Sequence, residues 1–407
     1  YASLGKPNTP KPNDCLSKLK VTHKKVLRLL LKLNPSKATG SDRIPALYLK
    51  NTAHHTYKVL ARIFQLSLKL GIFPSAWKIA DVVAIHKKKS KSEPGNYRPI
   101  SLLAIVSKLF ETIVADCLKF FLAPKLSPNQ FGFRPGHTTL DLLLLLTQSW
   151  TNALASGKEV RSVALDISKA FDKVWHDGLL FKLAELGIAG SLLDWLRSYL
   201  SDRKQRVIIN TDHSDLQPIK AGVPQGSVLG PLLFLVFIND LFSQVSNHLD
   251  VFADDSTLWS IVDNDRKEVA ESLNRDLDAI QSWAEKWIVK YNHTKTELLT
   301  ISRKRDVTEF RRVNVVDPDT VNYFSGPIQN PHPPIRFAGC VLQESSLLKL
   351  VGLTFTSNLT WTKHVNNIYR NASKNIALLH RANLVLKRSA RNNIQVTHSR
   401  LEYCCPI

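Results

Sequence analysis

The chain predicts an α+β fold. Three observations carry that reading. Some stretches space their apolar residues at helical intervals. Others are short β-branched or aromatic runs bounded by turn residues. The two kinds are segregated along the chain and do not alternate regularly. At 407 residues with 44% apolar side chains, the chain exceeds one average domain of about 150 residues, so two or three subdomains with sizeable cores are expected.

The elements follow in order. Pro7, Pro10 and Pro12 mark an extended lead-in. Helical spacing runs from Leu16 through Val26, Leu29, Leu30 and Leu33, and the loop Pro35 to Asp42 breaks it. One amphipathic helix is expected over Pro45 to Leu70, then a strand over Trp77 to Ile85 and a basic loop, Lys87 to Lys91, ending at Pro94-Gly95-Asn96. Tyr97 to Leu102 leads into a helix near Ser107 to Leu122. Ser162 to Leu165 reads as a buried strand reaching Asp166, Asp177 to Leu200 as one or two helices, and Gln205 to Asn210 as a strand. After the turn Val223-Pro224-Gln225-Gly226 comes a very apolar helix, Leu229 to Leu241. A hairpin over residues 250 to 262 and a helix over Asp265 to Ile288 complete this part. Residues 303 to 334, charge-rich and then proline-rich, read as a linker or insertion. One further hairpin is expected over Ile335 to Thr354, and basic helices from Trp361 to the end.

The formal net charge is +21. A globular chain this basic usually meets a polyanion, first of all nucleic acid. A membrane-surface role is weaker, because the cations are spread along the chain and not gathered on one amphipathic helix. No apolar run reaches the roughly 18 residues that span a bilayer, and the N-terminus does not resemble a signal peptide. Cys15, Cys117, Cys340, Cys404 and Cys405 lack paired CxxC spacing, which argues against a disulfide framework or a zinc site and for a reducing compartment. Methionine is absent even at position 1, so the chain is expected to be part of a longer reading frame.

The chemistry centres on Val251-Phe252-Ala253-Asp254-Asp255-Ser256. Two adjacent carboxylates sit in a short polar break between apolar strands. Like charges held together stay ionised most comfortably beside a cation. An Asp-rich β-turn and a divalent-metal site both account for the doublet. Asp166 ends its own strand 88 residues earlier. If the strands pair, Asp166, Asp254 and Asp255 converge, and three carboxylates suit two Mg²⁺ ions, with Mn²⁺ as a substitute. The other reading of Asp166 is a helix N-cap, given Ser168 and Lys169 behind it.

These segments resemble, in order, the motifs of reverse transcriptases of non-LTR (LINE-type) retrotransposons, most closely the jockey and CR1 groups. The resemblance rests on Asn34 to Lys50 and on "NYRPISLLAIVSKLFE" (96–111), "NQFGFRPGHTTLD" (129–141) and "ALDISKAFDKVWHDGLL" (164–180). It extends through "AGVPQGSVLGPLLFLVFINDL" (221–241), "VFADDSTLW" (251–259), "KWIVKYNHTKTELLTIS" (286–302) and "LVGLTFTSNLTWTKHV" (350–365). It implies a right-hand polymerase, with an N-terminal extension over 1–75, fingers and the start of the palm over 76–165, and the palm over 166–302. A linker or insertion at 303–334, a primer-grip hairpin at 335–360 and a partial thumb at 361–407 follow.

The implied function is an RNA-directed DNA polymerase that copies retroelement RNA using RNA template, DNA primer and dNTPs. The implied catalytic residues are Asp166, Asp254 and Asp255, with the Ile167 carbonyl as an additional metal ligand. Phe171 is the implied steric gate against a 2′-hydroxyl; on its residues alone it reads equally as a core Phe. Lys87 and Arg98 align with triphosphate clamps, although a lysine run is commonly just a solvated loop. Gln225 is implied to contact the nascent pair, Lys295 to lie near the triphosphate, and Leu350, Val351, Gly352 and Leu353 to form the primer grip. Lys363, His364, Arg370, Lys374, Arg381, Lys387, Arg388 and Arg391 are implied to track the duplex backbone. The family's endonuclease domain and cysteine-rich region are not in this sequence, so no target nicking is expected of it. A cytoplasmic ribonucleoprotein and a nuclear location are also implied. The competing readings are a decayed or domesticated copy that binds RNA without polymerising, and an RNA-dependent RNA polymerase.

Overall fold

The computed structural model describes residues 4, 5, 7, 8, 10, 11, 14–87, 90–303 and 332–383, without the side chains of 375 and 378–383. The expected linker lies almost wholly outside the described residues, as do Lys387, Arg388 and Arg391. Contacts divide the chain into two units. One comprises Tyr1–Pro128, Ser168–Asp240 and Ala284–Lys290; the other comprises Asn129–Ile167, Leu241–Trp283 and Tyr291–Ile407.

In the first unit, a mixed sheet carries the strand order Tyr97–Leu102, Ile79–His86, Lys204–Ile209, Asp212–His213, with Gln217–Pro218 also paired to Lys204–Ile209. Ile79–His86 runs parallel to Lys204–Ile209 and antiparallel to Tyr97–Leu102. An aromatic cluster fills the core. Phe64 stacks on Phe110 with centroids 4.4 Å apart, and Phe73 meets Trp195 and Tyr199 edge-on.

The expected helix Pro45 to Leu70 is two helices, Ala46–Asn51 and Ala53–Leu70. Thr52 between them leaves helical geometry at φ −92°, ψ 7°. Gly71 then ends the second helix in the left-handed conformation, φ 67°. The periodicity that begins at Leu16 becomes helix only over His23–Leu31; Leu16 forms a β-bridge with Ile188 instead. Asp177 to Leu200 resolves into His176–Glu185 and Gly190–Leu200, and the apolar helix after the Gln225 turn is Gly230–Ile238.

Lys182, on His176–Glu185, is 4% exposed. Its Nζ donates to the Phe237 carbonyl (2.6 Å) and to Asp240 (2.5 Å) and lies 3.7 Å from the centroid of Trp287. Burial pulls its pKa down to about 8, with Asp240 opposing. A base whose folded pKa lies below its unfolded value near 10.5 disfavours the fold below the folded pKa, and that penalty fades as pH rises between the two values. Lys182→Met is therefore expected to remove a rise in the urea midpoint between about pH 8 and 10.5. An unchanged pH profile in the variant counts against this.

In the second unit, a four-stranded antiparallel sheet has the order His248–Phe252, Asp255–Val262, Glu159–Asp166, Glu297–Ile301. Val160, Ser162, Ala164 and Asp166 share one face by the period of two. On that face Val160, Trp259, Leu299 and Ile301 join a core with Leu142, Leu146 and Trp150 of the helix Thr139–Ala155. The single hairpin expected over Ile335 to Thr354 is two, Arg336–Phe337 with Cys340–Val341 and Leu347–Leu350 with Leu353–Thr356. Each turns on a pair with positive φ, Ala338-Gly339 (49°, 79°) and Val351-Gly352 (45°, 98°), the requirement of a tight two-residue hairpin. No described helix is long and apolar enough to cross a membrane.

Candidate active site

The central strand Glu159–Asp166 delivers Asp166 to its C-terminal end. Register places Asp166 directly opposite Asp255, and Phe252 opposite Asp255 on the other side. Ala253 and Asp254 thus form a two-residue turn, and all three carboxylates meet at one end of the sheet. Ala253 sits at φ 59°, a conformation that disfavours any residue with a Cβ by about 1–2 kcal/mol.

The turn is held from outside. Gln130, 2% exposed, accepts through Oε1 from Ala253 N (2.9 Å) and Gly132 N (2.8 Å). A Cβ on Gly132 would lie 2.3 Å from Ala253 N, so only glycine permits this approach. Gln130 is absent from the candidates named above. Its signal in the sequence is weak: an amide between Asn129 and Phe131 that only the buried turn explains. Gln130→Ala leaves two buried N–H groups unpaired, and is expected to lower unfolding free energy by roughly 2 kcal/mol. Equilibrium urea unfolding checks this; a change within error sinks the bracing role.

Lys295 Nζ lies 2.9 Å from Asp166 Oδ2, and Asn292 N donates to the Asp166 carbonyl. Ile167 bridges Tyr291. Desolvation raises the Asp255 pKa to about 6, with the Asp254 and Asp166 charges adding to it and Lys295 opposing. The carboxylates repel and Lys295 neutralises part of the charge. This donor set fits a hard divalent ion, which takes a few carboxylates and fills its remaining positions with water and phosphate oxygens. Among the described residues, no three carboxylate, His or Cys side chains by themselves form a closed metal cage.

Within the first unit, other candidates come together. Lys87 N donates to the Asn96 carbonyl, and Arg98 pairs with Ile85. Lys87 and Arg98 therefore share one sheet face, and both are exposed. The Gln225 carbonyl accepts from Ser101 N of the Arg98 strand. Gln225 Nε2 donates to Asp172, and the neighbouring Phe171 ring lies 4.9 Å from that of Phe234.

Leu350 and Leu353 are buried in the second unit's core, leaving Val351-Gly352 as the hairpin tip. On the helix Thr362–Asn383, Lys363, Arg370 and Lys374 are exposed; Arg381 lies on it with its side chain outside the described set. His364 corrects the expectation of a backbone contact: it is 8% exposed, and its Nδ1 accepts from Thr354 N.

An antiparallel sheet with one carboxylate ending its central strand and a doublet in the adjoining hairpin defines the palm of a template-directed polymerase. Residues 85–342 match the reverse transcriptase (RNA-dependent DNA polymerase) family, and the chain belongs to it. It is similar to the probable RNA-directed DNA polymerase from transposon BS of Drosophila melanogaster, at 33% identity over 84% of this chain and 36% of the relative. The RNA-directed DNA polymerase from mobile element jockey of the same species is 30% identical over 86% of this chain and 36% of the relative. The probable RNA-directed DNA polymerase from transposon X-element is 30% identical over 94% and 41%. The chain spans well under half the length of these relatives.

Proposed function

We propose that the chain copies retroelement RNA into DNA, adding dNTPs to a DNA primer. The observation that supports this most directly is the Asp166–Asp255 cross-strand pair beside Asp254. Asp166, Asp254, Asp255 and the Ile167 carbonyl would hold two Mg²⁺ ions, or Mn²⁺. Bound there, the ions supply charge neutralisation for the attacking and leaving oxygens. Lys295 holds a positive charge at Nζ beside Asp166, suited to the developing charge on pyrophosphate. Phe171 selects against the ribose hydroxyl, Gln225 contacts the nucleotide, and Lys87 and Arg98 clamp its triphosphate, Arg as a fork and Lys as a point charge.

The segments 1–75, 76–165, 166–302, 335–360 and 361–407 are assigned as extension, fingers, palm, primer grip and thumb. Lys363, Arg370, Lys374 and Arg381 are assigned to the duplex backbone. Residues 15 to 80 carry thirteen Lys and Arg against one acid, Asp42, which supports contact with a polyanion. A cytoplasmic ribonucleoprotein and entry into the nucleus complete the reading.

Primer extension on an RNA template with Mg²⁺ tests it. Extension is expected with dNTPs and not with NTPs. Template-primer affinity should fall steeply with salt, because phosphate neutralisation releases counterions. Binding without extension in Mg²⁺ or Mn²⁺ supports an RNA-binding relative instead, and efficient NTP use supports an RNA polymerase.

A further inference from the structure

Gln225 is held by more than its own turn. Its carbonyl accepts from Ser101 N at 2.7 Å. Gly226, at φ 124°, lies so close that a Cβ would stand 2.5 Å from the Ser101 carbonyl oxygen. Downstream, the fully buried Glu111 accepts from Val228 N (2.8 Å) and Leu229 N (3.2 Å). Ser107 and Tyr199 hydroxyls also donate to it. Backbone is thus fixed on both sides of Gln225, and its side chain keeps the remaining freedom.

Asp172 removes that freedom. Gln225 Nε2 donates to Asp172 Oδ1 at 2.8 Å. An ionised carboxylate only accepts, so the amide nitrogen must face it and Oε1 must point away. Asp172 is itself fixed in the short 3₁₀ turn Ala170–Lys173, with its N–H donating to the Lys169 carbonyl. That turn is pinned to the Gln225 loop: Val223 N donates to the Phe171 carbonyl and Gly222 N to the Val174 carbonyl, both at 2.8 Å. A Cβ on Gly222 would strike the Asp172 backbone at 2.6 Å.

We propose that Asp172 is a positioning residue for nucleotide selection: it sets which face of the Gln225 amide meets the nucleotide and ties Gln225 in register with the adjacent Phe171. This deepens the function proposed above and rests on it. Asp172→Ala is expected to raise KM for dNTP about tenfold, the scale of one charge-assisted hydrogen bond. The same variant is expected to keep kcat within about twofold, its melting temperature and its template-primer affinity, and to admit more NTP. Asp172→Asn keeps an acceptor oxygen but can also donate, so it permits both orientations of the Gln225 amide and should recover KM only in part while keeping the melting temperature. Asp172→Ala with Gln225→Ala should be no worse than Gln225→Ala alone, since one interaction is lost once.

Selective ¹⁵N-glutamine labelling reads the tether without catalysis. The Gln225 side-chain amide signal, identified by its loss in Gln225→Asn, should shift in Asp172→Ala. Active wild type with neither KM nor that signal altered by Asp172→Ala overturns the inference. So do additive effects in the double variant, or a fall in melting temperature that Asn does not rescue. A wild type that shows the tether but extends no primer overturns the polymerase reading, and the nucleotide role with it.

Discussion

Asp254→Ala is expected to abolish primer extension while the protein stays folded and keeps its template-primer affinity. Losing a ligand to the charge that stabilises the transition state removes several kcal/mol, a fall of roughly 10³-fold or more in kcat. Ordinary destabilisation can be told apart by melting temperature. Asp254 helps raise the Asp255 pKa to about 6. A carboxyl raised above its unfolded value disfavours the fold above that range. Removing Asp254 eases this repulsion, so the metal-free variant at pH 7 should remain folded at the assay temperature. Extension unchanged by the substitution would falsify the catalytic assignment; loss of extension with a marked drop in melting temperature would make it a folding effect.

Glu159→Ala is expected to do the reverse: lower stability by roughly 3–5 kcal/mol and spare the chemistry. Glu159 begins the strand that Asp166 ends. Its side chain is fully buried. Arg266 donates to both oxygens (3.0 and 2.7 Å), Ser302 Oγ donates to Oε1 (3.0 Å), and His332 Nε2 lies 3.0 Å from Oε2. Removing the carboxylate leaves a buried guanidinium uncompensated. Burial by itself raises the Glu159 carboxyl, but these partners together outweigh it and hold the group well below the usual range. A depressed carboxyl stabilises the fold above its unfolded value near 4.5 and loses that contribution as pH falls below it. The variant's deficit in urea should therefore shrink on acidification below about pH 4.5. At low temperature kcat should match wild type, because seven residues of strand, roughly 23 Å, separate the two ends. A urea midpoint within error of wild type at pH 7 would remove the anchor.

Which parts were legible follows from where their causes lie. The doublet hairpin was readable because Val251, Phe252, Leu258 and Trp259 are strand formers beside a two-residue polar break, all within ten positions. The Asp166 strand was readable from its apolar run. Thr52 was missed because a one-residue break leaves the helical period almost undisturbed on either side. The two hairpins read as one because Ala338 and Val351 are poor turn residues, and their positive φ beside Gly339 and Gly352 shows only in the backbone. Glu159, Glu111 and Gln130 were invisible for another reason: their partners stand 107 to 143, 117 to 118 and 123 residues away for the principal bonds. Composition carries no trace of such pairings. His364 shows the opposite error, a basic residue counted as surface that folds inward to cap Thr354.

The two-residue turn at Ala253-Asp254 also sets how this gene can change length. Strand residues alternate faces, so one extra codon between Val251 and Asp255 would turn Asp255 away from Asp166 or shift every later pair of the hairpin by one. Two extra codons would restore the alternation yet carry Ala253 off the Gln130 brace. The hairpin is thus intolerant of insertion in either parity, and a screen of in-frame insertions across 251–256 should return no active clone.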